Sequence, residues 1–209
     1  MNQNAQDNAA ALRTRLKQRR TELPPAERDR GALLIRGRLY TWLATNRTRL
    51  RESGRPDVRS IAAFWSMADE PALQALLRQW AADDSLTVCL PAVVAPGQPL
   101  QFRAWTPDTP MQPGAYGIQE PDGPAVPAPD VVLVPTLGYT RQGDRLGYGG
   151  GYYDRTLAAL RSAGHAFTTI GVAWASGDLS GEPYTPAAHD VRLDAVLTDK
   201  GWAVPAPEL

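Results

Sequence analysis

The sequence is poor in cysteine and histidine, and this shortage excludes one class of site. Cys89 is the only cysteine among 209 residues, and the two histidines are His165 and His189. One thiol and two imidazoles cannot complete a structural zinc site without several carboxylates. Cys89 itself lies in the apolar run LTVCLPAVV, which predicts a buried strand residue rather than a catalytic thiol.

Lysine is also scarce, because Lys17 and Lys200 are the only two and arginine supplies almost all of the positive charge. Any anion site is therefore expected to use arginine or backbone amides. Basic and acidic residues balance at 22 each, so no overall electric field attracts the chain to nucleic acid or to a membrane. We expect neither partner.

Long apolar runs are missing as well. No stretch approaches the roughly 20 apolar residues that a membrane-spanning helix needs. The N-terminus, MNQNAQDNAAALRTRL, has no basic stretch followed by an apolar one, which argues against a secretory signal. We expect a cytoplasmic protein, either a monomer or a weak homo-oligomer.

The apolar pattern predicts one α/β domain over residues 1–209. Helical spacing indicates an N-terminal helical pair within residues 1–50, the second helix starting at PPAER (24–28) and ending near residue 46. Further helices are predicted at 69–81 and 152–163, a long irregular loop at 106–129 and a tail at 201–209. Six segments are predicted strands: VRSIAAFWSM (58–67), SLTVCLPAV (85–93), PLQFRAW (99–105), DVVLVP (130–135), FTTIGVAWA (167–175) and LDAVLTD (193–199).

Strands that alternate with helices favour a mainly parallel sheet flanked by helices, a Rossmann-like architecture of three layers. PLQFRAW alternates like an edge or antiparallel strand, whereas the dense apolar run DVVLVP is typical of a central parallel strand. Ligands of such folds bind beyond the carboxyl ends of the strands. Ligand-binding residues are therefore expected just after the predicted strands.

The sequence RLGYGGGYYDR, here called the glycine segment (residues 145–155), follows the predicted central strand. Its four glycines can present bare N–H groups, and a helix that starts near Tyr152 would add its positive dipole end. Arg145 can bind phosphate through two hydrogen bonds, and Asp154 supplies the oxygen ligand that Mg²⁺ prefers. The segment thus predicts a site for nucleotide phosphate with a metal at its edge.

Other interpretations of the glycine segment remain open at this point. Glycine-rich turns are common, and GYGGG alone is compatible with a flexible hairpin. The segment lacks the Gly-Lys-Ser/Thr of a P-loop, and its glycine spacing does not match the G-x-G-x-x-G dinucleotide pattern. Asp154 also suits a helix start without any metal.

The longer stretch VPTLGYTRQGDRLGYGGGYYDRTLAAL resembles the signature of the 5-formyltetrahydrofolate cyclo-ligase family, also called methenyltetrahydrofolate synthetases. That signature is carried here by Pro135, by Leu137-Gly138-Tyr139 and by Arg145 through Asp154. The resemblance extends to LRTRLKQRRTELPPAER, FWSMADE, PGAYGIQEP (113–121) and HDVRLDAVLTD (189–199). It departs at Ala9, where the family commonly has a lysine that meets ATP phosphate.

The resemblance implies an ATP- and Mg²⁺-dependent enzyme that converts 5-formyltetrahydrofolate to 5,10-methenyltetrahydrofolate through a phosphorylated formyl intermediate. Arg145 and Tyr152 would take part in catalysis, and Asp154 and Asp190 would hold the metal. The implied ATP-binding residues are Arg13, Arg145, Leu146, Gly147, Tyr148, Gly149, Gly150, Gly151, Tyr152 and Tyr153.

The implied folate-binding residues are Trp65, Met67, Glu70, Tyr116, Glu120 and Tyr152. Each has a simpler interpretation, since an aromatic residue of an α/β protein is more often core than ligand wall. Glu70 suits a helix start, Glu120 and Asp190 suit solvated loops, and Tyr153 suits the core.

Two rival functions remain in view. One is another α/β enzyme, such as a sugar-phosphate isomerase or a coenzyme A transferase, which would use the glycine segment without hydrolysing ATP. The other is a non-catalytic folate-binding module, which Ala9 motivates because the family lysine is absent there.

Overall fold

The structure is a computed structural model that describes residues 3–209. Its helices are α1 (Gln3–Thr21), α2 (Pro25–Glu52), α3 (Gln74–Ala81) and α4 (Tyr152–Ser162). Among the described residues, no helix is both long and apolar enough to cross a membrane. Helix α2 begins at a proline, whose missing N–H costs nothing in the first turn and whose fixed φ suits a helix.

Eleven short strands are described. They are β1 (Ser60–Ala62), β2 (Thr87–Ala92), β3 (Gln101–Ala104), β4 (Met111–Pro113), β5 (Gln119–Pro121), β6 (Val131–Pro135), β7 (Gly138–Tyr139), β8 (Arg145–Leu146), β9 (Thr168–Ala173), β10 (Ala195–Thr198) and β11 (Gly201–Val204). Seven of them form one sheet in the order β11-β10-β9-β6-β1-β2-β3. The five inner strands run parallel, and β3 and β11 close the two edges antiparallel.

The sheet separates two apolar layers, which confirms the predicted α/β fold. Ile61, Val131 and Leu133 point to the face that packs against α2 and α3. Their neighbours Ala62, Val132 and Val134 point to the opposite face, toward Leu157 of α4. This alternation follows from the two-residue period of a strand, and it explains why runs such as DVVLVP are apolar at every position.

Cys89 is buried in β2, as the apolar run around it predicted. Burial raises the pKa of its thiol to about 12, so the group stays protonated at neutral pH. This single cysteine therefore belongs to the core.

The order of the strands defines where a ligand is expected. From β1 the chain continues to β2 and β3 on one side, whereas from β6 it continues to β9, β10 and β11 on the other. The carboxyl ends of β1 and β6 therefore flank the topological switch point, beyond which doubly wound sheets bind their ligands. The segment around Glu70 follows β1, and the glycine segment follows β6.

Five predicted elements differ from the structure. The strand predicted at 58–67 is limited to Ser60–Ala62. The second helix extends to Glu52 instead of residue 46, and α3 starts at Gln74 instead of 69. The supposed tail contributes the edge strand β11, which is paired with β10. The supposed loop at 106–129 contains the hairpin β4–β5.

Physical causes account for the late start of α3 and for the ordered end of the chain. Pro71 follows Glu70, and the residue before a proline is pushed out of the helical region, which delays the start of α3. The last residue of the chain is held by a hydrogen bond from the Leu209 N–H to the Asn46 side chain at 2.9 Å. That contact joins elements 163 positions apart, which no local pattern reports.

Candidate active site

The glycine segment runs from a short hairpin into a helix. Strand β8 pairs with β7, and α4 begins at Tyr152 directly after the last glycine. Gly151 has a φ of 65°, a left-handed conformation that residues with a side chain rarely adopt, and no side chain from residues 3–209 caps the helix. The segment thus leads bare backbone into the positive end of the α4 dipole.

Arg145 lies underneath this backbone. The residue is only 6% exposed, and a Cβ on Gly147 would clash with its guanidinium, so any other residue there would force the Arg145 side chain to shift. The Arg145 Nη2 donates to Asp154 Oδ2 at 2.8 Å. Within residues 3–209, its Nε has no hydrogen-bond partner. A buried donor without a partner is costly, which makes this nitrogen a candidate ligand contact.

Helix α1 approaches the same segment from outside. Arg13 Nε donates to the Gly147 carbonyl at 2.9 Å. Leu12 and Leu16 fix this position, since both pack in an apolar cluster with Leu146 of β8. Ala9 packs against that cluster one turn earlier in the helix. The structure therefore brings Arg13 and the position of the missing lysine to the glycine segment.

Glu70 is joined to the glycine segment by Tyr148. The Tyr148 hydroxyl donates to Glu70 Oε1 and accepts a hydrogen bond from Arg20 Nη1 at 2.5 Å. The Met67 N–H donates to Glu70 Oε2 at 2.9 Å. Burial raises the pKa of Glu70, while its hydrogen bonds and the charge of Arg20 oppose that rise. Glu70 precedes α3 and is almost fully buried, so it is not a solvated helix start.

Two tyrosines meet above this region. The rings of Tyr116 and Tyr152 lie 6.0 Å apart at 74°, and their hydroxyls are 3.4 Å apart. Tyr116 is 77% exposed and has a φ of 61°, an unusual backbone conformation for a residue with a bulky side chain. Strained backbone of this kind often occurs at functional sites. The guanidinium of Arg155 lies 5.0 Å from the Tyr152 ring centre.

Glu120 is buried rather than solvated. Its Oε1 accepts hydrogen bonds from the Val93 N–H at 3.1 Å and from the Ala115 N–H at 3.3 Å. A side chain on Gly114 would collide with the Glu120 carboxylate. Glu120 therefore holds the loop that presents Tyr116, in addition to any contact with a ligand.

The remaining predicted folate residues lie along the chain leading to Glu70. Trp65 is half-buried and meets Trp105 edge to face at 6.0 Å. Met67 contacts Glu70 through its main chain.

Tyr153 packs on the core beside Leu157, as its simpler interpretation predicted, and its buried hydroxyl has no partner within residues 3–209.

One of the two predicted metal ligands, Asp154, contacts the residue that follows the other, Asp190. Asp154 Oδ1 accepts a hydrogen bond from the Val191 N–H at 3.3 Å, and Asp190 is the preceding residue. Asp190 Oδ2 accepts from the Ala187 N–H at 2.7 Å. Among residues 3–209, no cluster of three or more acidic, histidine or cysteine side chains is positioned to bind a metal. Two carboxylates are nevertheless a usual protein contribution to a Mg²⁺ site, since phosphate and water complete it.

Sequence reasoning missed Arg20 and Arg155. Arg20 is 2% exposed and donates to the Thr136 carbonyl at 2.5 Å. Arg155 donates to the Gly150 carbonyl at 2.7 Å. Helical spacing could have found Arg20, because Leu12, Leu16 and Arg20 are four residues apart and share the buried face of α1. The position of Arg155 in the first turn of α4 was also readable from the sequence.

The fold and the site define a doubly wound α/β protein with a glycine-rich segment at its switch point. The family described as the 5-formyltetrahydrofolate cyclo-ligase family matches residues 5–199. The chain belongs to this family. A 5-formyltetrahydrofolate cyclo-ligase of Mycolicibacterium smegmatis is 33% identical over 197 residues, which cover 90% of this chain and 92% of that protein.

Two solved structures share the fold. The 5,10-methenyltetrahydrofolate synthetase of Aquifex aeolicus has a TM-score of 0.75 at 23% identity, covering 96% of this chain and 95% of its own. The synthetase of Mycoplasma pneumoniae has a TM-score of 0.68 at 20% identity, covering 92% and 99%. The predicted family and fold class are thereby confirmed.

Proposed function

We propose that this chain is an ATP- and Mg²⁺-dependent 5-formyltetrahydrofolate cyclo-ligase that forms 5,10-methenyltetrahydrofolate and releases ADP and phosphate. The observation that carries the proposal is Arg145, a buried guanidinium beneath the glycine segment whose Nε has no partner among the described residues. Membership of the family over residues 5–199 supports the same activity.

Phosphate would be bound by backbone and arginine together. The glycine backbone from Gly147 to Gly151 leads into the uncapped start of α4, where N–H groups attract anions. Arg145 adds a full positive charge below, and Arg13 adds another from α1. This set matches a chain that uses arginine in place of lysine for nearly all of its positive charge.

The reaction needs activation because an amide oxygen is a poor leaving group. The formyl oxygen attacks the γ-phosphorus of ATP and ADP departs, which leaves a phosphorylated formyl group. N10 then attacks the formyl carbon and loses its proton, and the carbon–oxygen bond breaks to release phosphate. Positioning and charge neutralisation supply most of the catalysis in such phosphoryl transfers.

Asp154 and Asp190 fit a magnesium ion, because each is a hard oxygen donor beside the segment proposed to hold phosphate. A bound Mg²⁺ would neutralise negative charge on the phosphates. Asp154 also orients Arg145 through their ion pair, so this carboxylate has a second role in the site.

The folate would lie between Glu70 and the pair Tyr116–Tyr152. The carboxylate of Glu70 can accept hydrogen bonds from the amino-pyrimidine edge of the pterin. The two tyrosine rings supply the apolar contact that a flat ring system needs. Tyr152 also starts α4, which puts its ring directly beside the phosphate-binding backbone.

A direct assay tests the proposal. The protein is mixed with Mg²⁺, ATP and 5-formyltetrahydrofolate, and the near-UV absorbance of the methenyl product is followed. We expect absorbance to rise only with all three present, and replacing ATP by ADP is the control. A flat trace from folded protein rejects the activity.

The same assay separates the rivals. The raised pKa of Glu70 is a feature that an isomerase or a coenzyme A transferase would also use. Turnover of a phosphorylated sugar or an acyl-coenzyme A without ATP would favour that class. Tight folate binding without product would favour the non-catalytic module.

A further inference from the structure

A single hydroxyl connects the two halves of the proposed site. Tyr148 stands between Gly147 and Gly149 in the glycine segment, yet its hydroxyl donates to Glu70, which follows a different strand of the sheet. The nucleotide side and the folate side are thus joined across the switch point by a hydrogen bond between residues 78 positions apart.

The direction of this hydrogen bond is fixed by Arg20. A guanidinium can only donate and an ionised carboxylate can only accept, so the Tyr148 oxygen accepts from Arg20 Nη1 and its own proton points to the Glu70 carboxylate. Arg20 is held in turn, because its Nη2 donates to the Thr136 carbonyl at the end of β6 and its Nη1 lies 3.9 Å from Asp69. Arg20 and Glu70 therefore define the one position in which the hydroxyl can make both hydrogen bonds.

Glu70 is held at both oxygens. Oε1 accepts from Tyr148 and Oε2 from the Met67 N–H, which leaves each oxygen one further lone pair for a ligand. Glu70 can keep both of these hydrogen bonds only while the backbone of residues 147–149 holds the Tyr148 hydroxyl beside its carboxylate. Both groups are largely buried, so breaking the bond would leave unsatisfied polar atoms.

We propose that Tyr148 is a positioning residue that couples nucleotide binding to folate binding through its hydrogen bond to Glu70. A nucleotide that orders the glycine segment fixes the Tyr148 hydroxyl and thereby orients Glu70 for the pterin. By thermodynamic reciprocity, a folate that orients Glu70 orders the segment for the nucleotide. This inference rests on the proposed function, because it assigns the two ligands to the two ends of the hydrogen bond.

A purely structural hydrogen bond makes a different prediction. Its loss would lower the stability of the fold and weaken each ligand by itself, leaving the ratio between single and joint binding unchanged. The coupling role predicts that this ratio itself changes, because the mutual enhancement of the two ligands disappears.

Calorimetric titration measures both quantities. A non-hydrolysable ATP analogue with Mg²⁺ and 5-formyltetrahydrofolate are each titrated alone and then in the presence of the other. For the unmodified chain we expect the second ligand to bind at least about fivefold tighter, the lower end of usual coupling. For Tyr148→Phe we expect an enhancement below about twofold, whatever the change in each single Kd.

Tyr184→Phe is the matched control. Its hydroxyl donates to the Arg145 carbonyl at 3.0 Å, so the variant removes one tyrosine hydrogen bond from the same segment without touching Glu70. We expect this variant to keep the full enhancement. If Tyr148→Phe folds poorly, Tyr148→Met fills similar space without the hydroxyl and must lose the enhancement as well.

The outcomes are distinguishable from a failure of the proposed function. An unmodified chain that forms the methenyl product but shows no enhancement overturns the inference alone. Full enhancement in Tyr148→Phe also overturns it. An unmodified chain that binds neither ligand and forms no product overturns the proposed function, and the inference falls with it.

Discussion

Arg145 and Asp154 form an ion pair at 2.8 Å, although the sequence had assigned one to phosphate and the other to magnesium. Both side chains are largely buried, at 5% and 13% exposure. A buried pair of opposite charges is sensitive to the loss of either partner, because the survivor is left without compensation. The two proposed roles are therefore coupled, and a change at one residue affects the other.

Asp154→Asn tests this coupling. We expect turnover to fall by at least about a hundredfold, because both the proposed metal ligand and the charge opposite Arg145 are lost. We expect the free energy of unfolding to fall by only about 1–3 kcal/mol, since the asparagine oxygen still accepts from Arg145. Turnover is followed by absorbance at several Mg²⁺ concentrations, and unfolding is followed by urea denaturation.

Asp178→Asn is the control for that experiment. Asp178 pairs with Arg141 at 2.8 Å, but the pair is more exposed and lies outside the proposed site. We expect its turnover to stay close to that of the original chain. A rate for Asp154→Asn within threefold of the original would remove Asp154 from the metal site.

Ala9 provides a second test, because it lies one helical turn before Arg13 on α1. Arg13 contacts the Gly147 carbonyl, and residues four apart share a helix face, so a longer basic side chain at position 9 points to the same segment. We expect Ala9→Lys to lower the apparent KM for ATP by about 3–10-fold, the effect of one charge-assisted contact.

The neighbouring exposed Ala10 supplies the matched control for position 9. Ala10→Lys adds the same charge to the same helix but on another face. We expect it to leave the KM for ATP nearly unchanged. Equal effects at both positions would mean that net charge alone attracts the nucleotide, and no effect at position 9 would mean that the contact is supplied elsewhere.

Much of the fold was predictable from local patterns. The densely apolar run at Val131–Pro135 is a central parallel strand, and the proline at position 25 starts α2. Edge strand β11 was missed because its sequence, GWAV, is short and its pairing with β10 depends on a bulge. Strand pairing at the end of a chain is a long-range property that a local pattern cannot report.

The sequence named the residues of the candidate site but not the connections between them. The glycine segment, Glu70 and Tyr116 were all identified from motifs, and the structure brings each to the carboxyl end of the sheet. Spacing from Leu12 and Leu16 puts Arg20 on the buried face of α1, but its partners Tyr148 and Thr136 could not be read from the sequence. The pairings of Tyr148 with Glu70 and of Arg145 with Asp154 depend on tertiary packing in the same way.

The backbone conformation of Tyr116 predicts that replacing this residue by glycine stabilises the fold but weakens folate binding. Its left-handed backbone costs about 1–2 kcal/mol for a residue with a side chain, and glycine avoids this cost. We expect Tyr116→Gly to raise the free energy of unfolding by about 0.5–1 kcal/mol, after the entropy of glycine is subtracted. The KM for folate should rise several-fold because one ring of the proposed wall is lost.

Tyr116→Phe is the control, because it keeps the ring and the strain. We expect its stability and its KM for folate to remain near the original values, since the hydroxyl contact with Tyr152 is long. An unchanged KM in Tyr116→Gly would exclude Tyr116 from the folate site.

Glu70 predicts a dependence of stability on pH with a defined sign. Burial raises its pKa above the ordinary value of 4.5, so the folded protein holds this proton more tightly than the unfolded chain. As the pH rises above that value, the unfolded state therefore binds fewer protons than the folded state. The free energy of unfolding falls until the pH passes the pKa of Glu70 in the folded state. Asp83 behaves oppositely, because hydrogen bonds from Ser85 and Arg47 lower its pKa to about 2.

Glu70→Gln isolates this effect, because glutamine does not titrate. We expect the free energy of unfolding of the original chain, minus that of Glu70→Gln, to decrease as pH rises from 4.5 toward neutrality. For Asp83→Asn the corresponding difference should stay flat over that range, since its change is confined to the window between 3.8 and about 2. Urea denaturation at a series of pH values measures both. A constant difference for Glu70→Gln would mean that Tyr148, Met67 and Arg20 stabilise the carboxylate enough to cancel the effect of burial, so Glu70 would be ionised throughout this range.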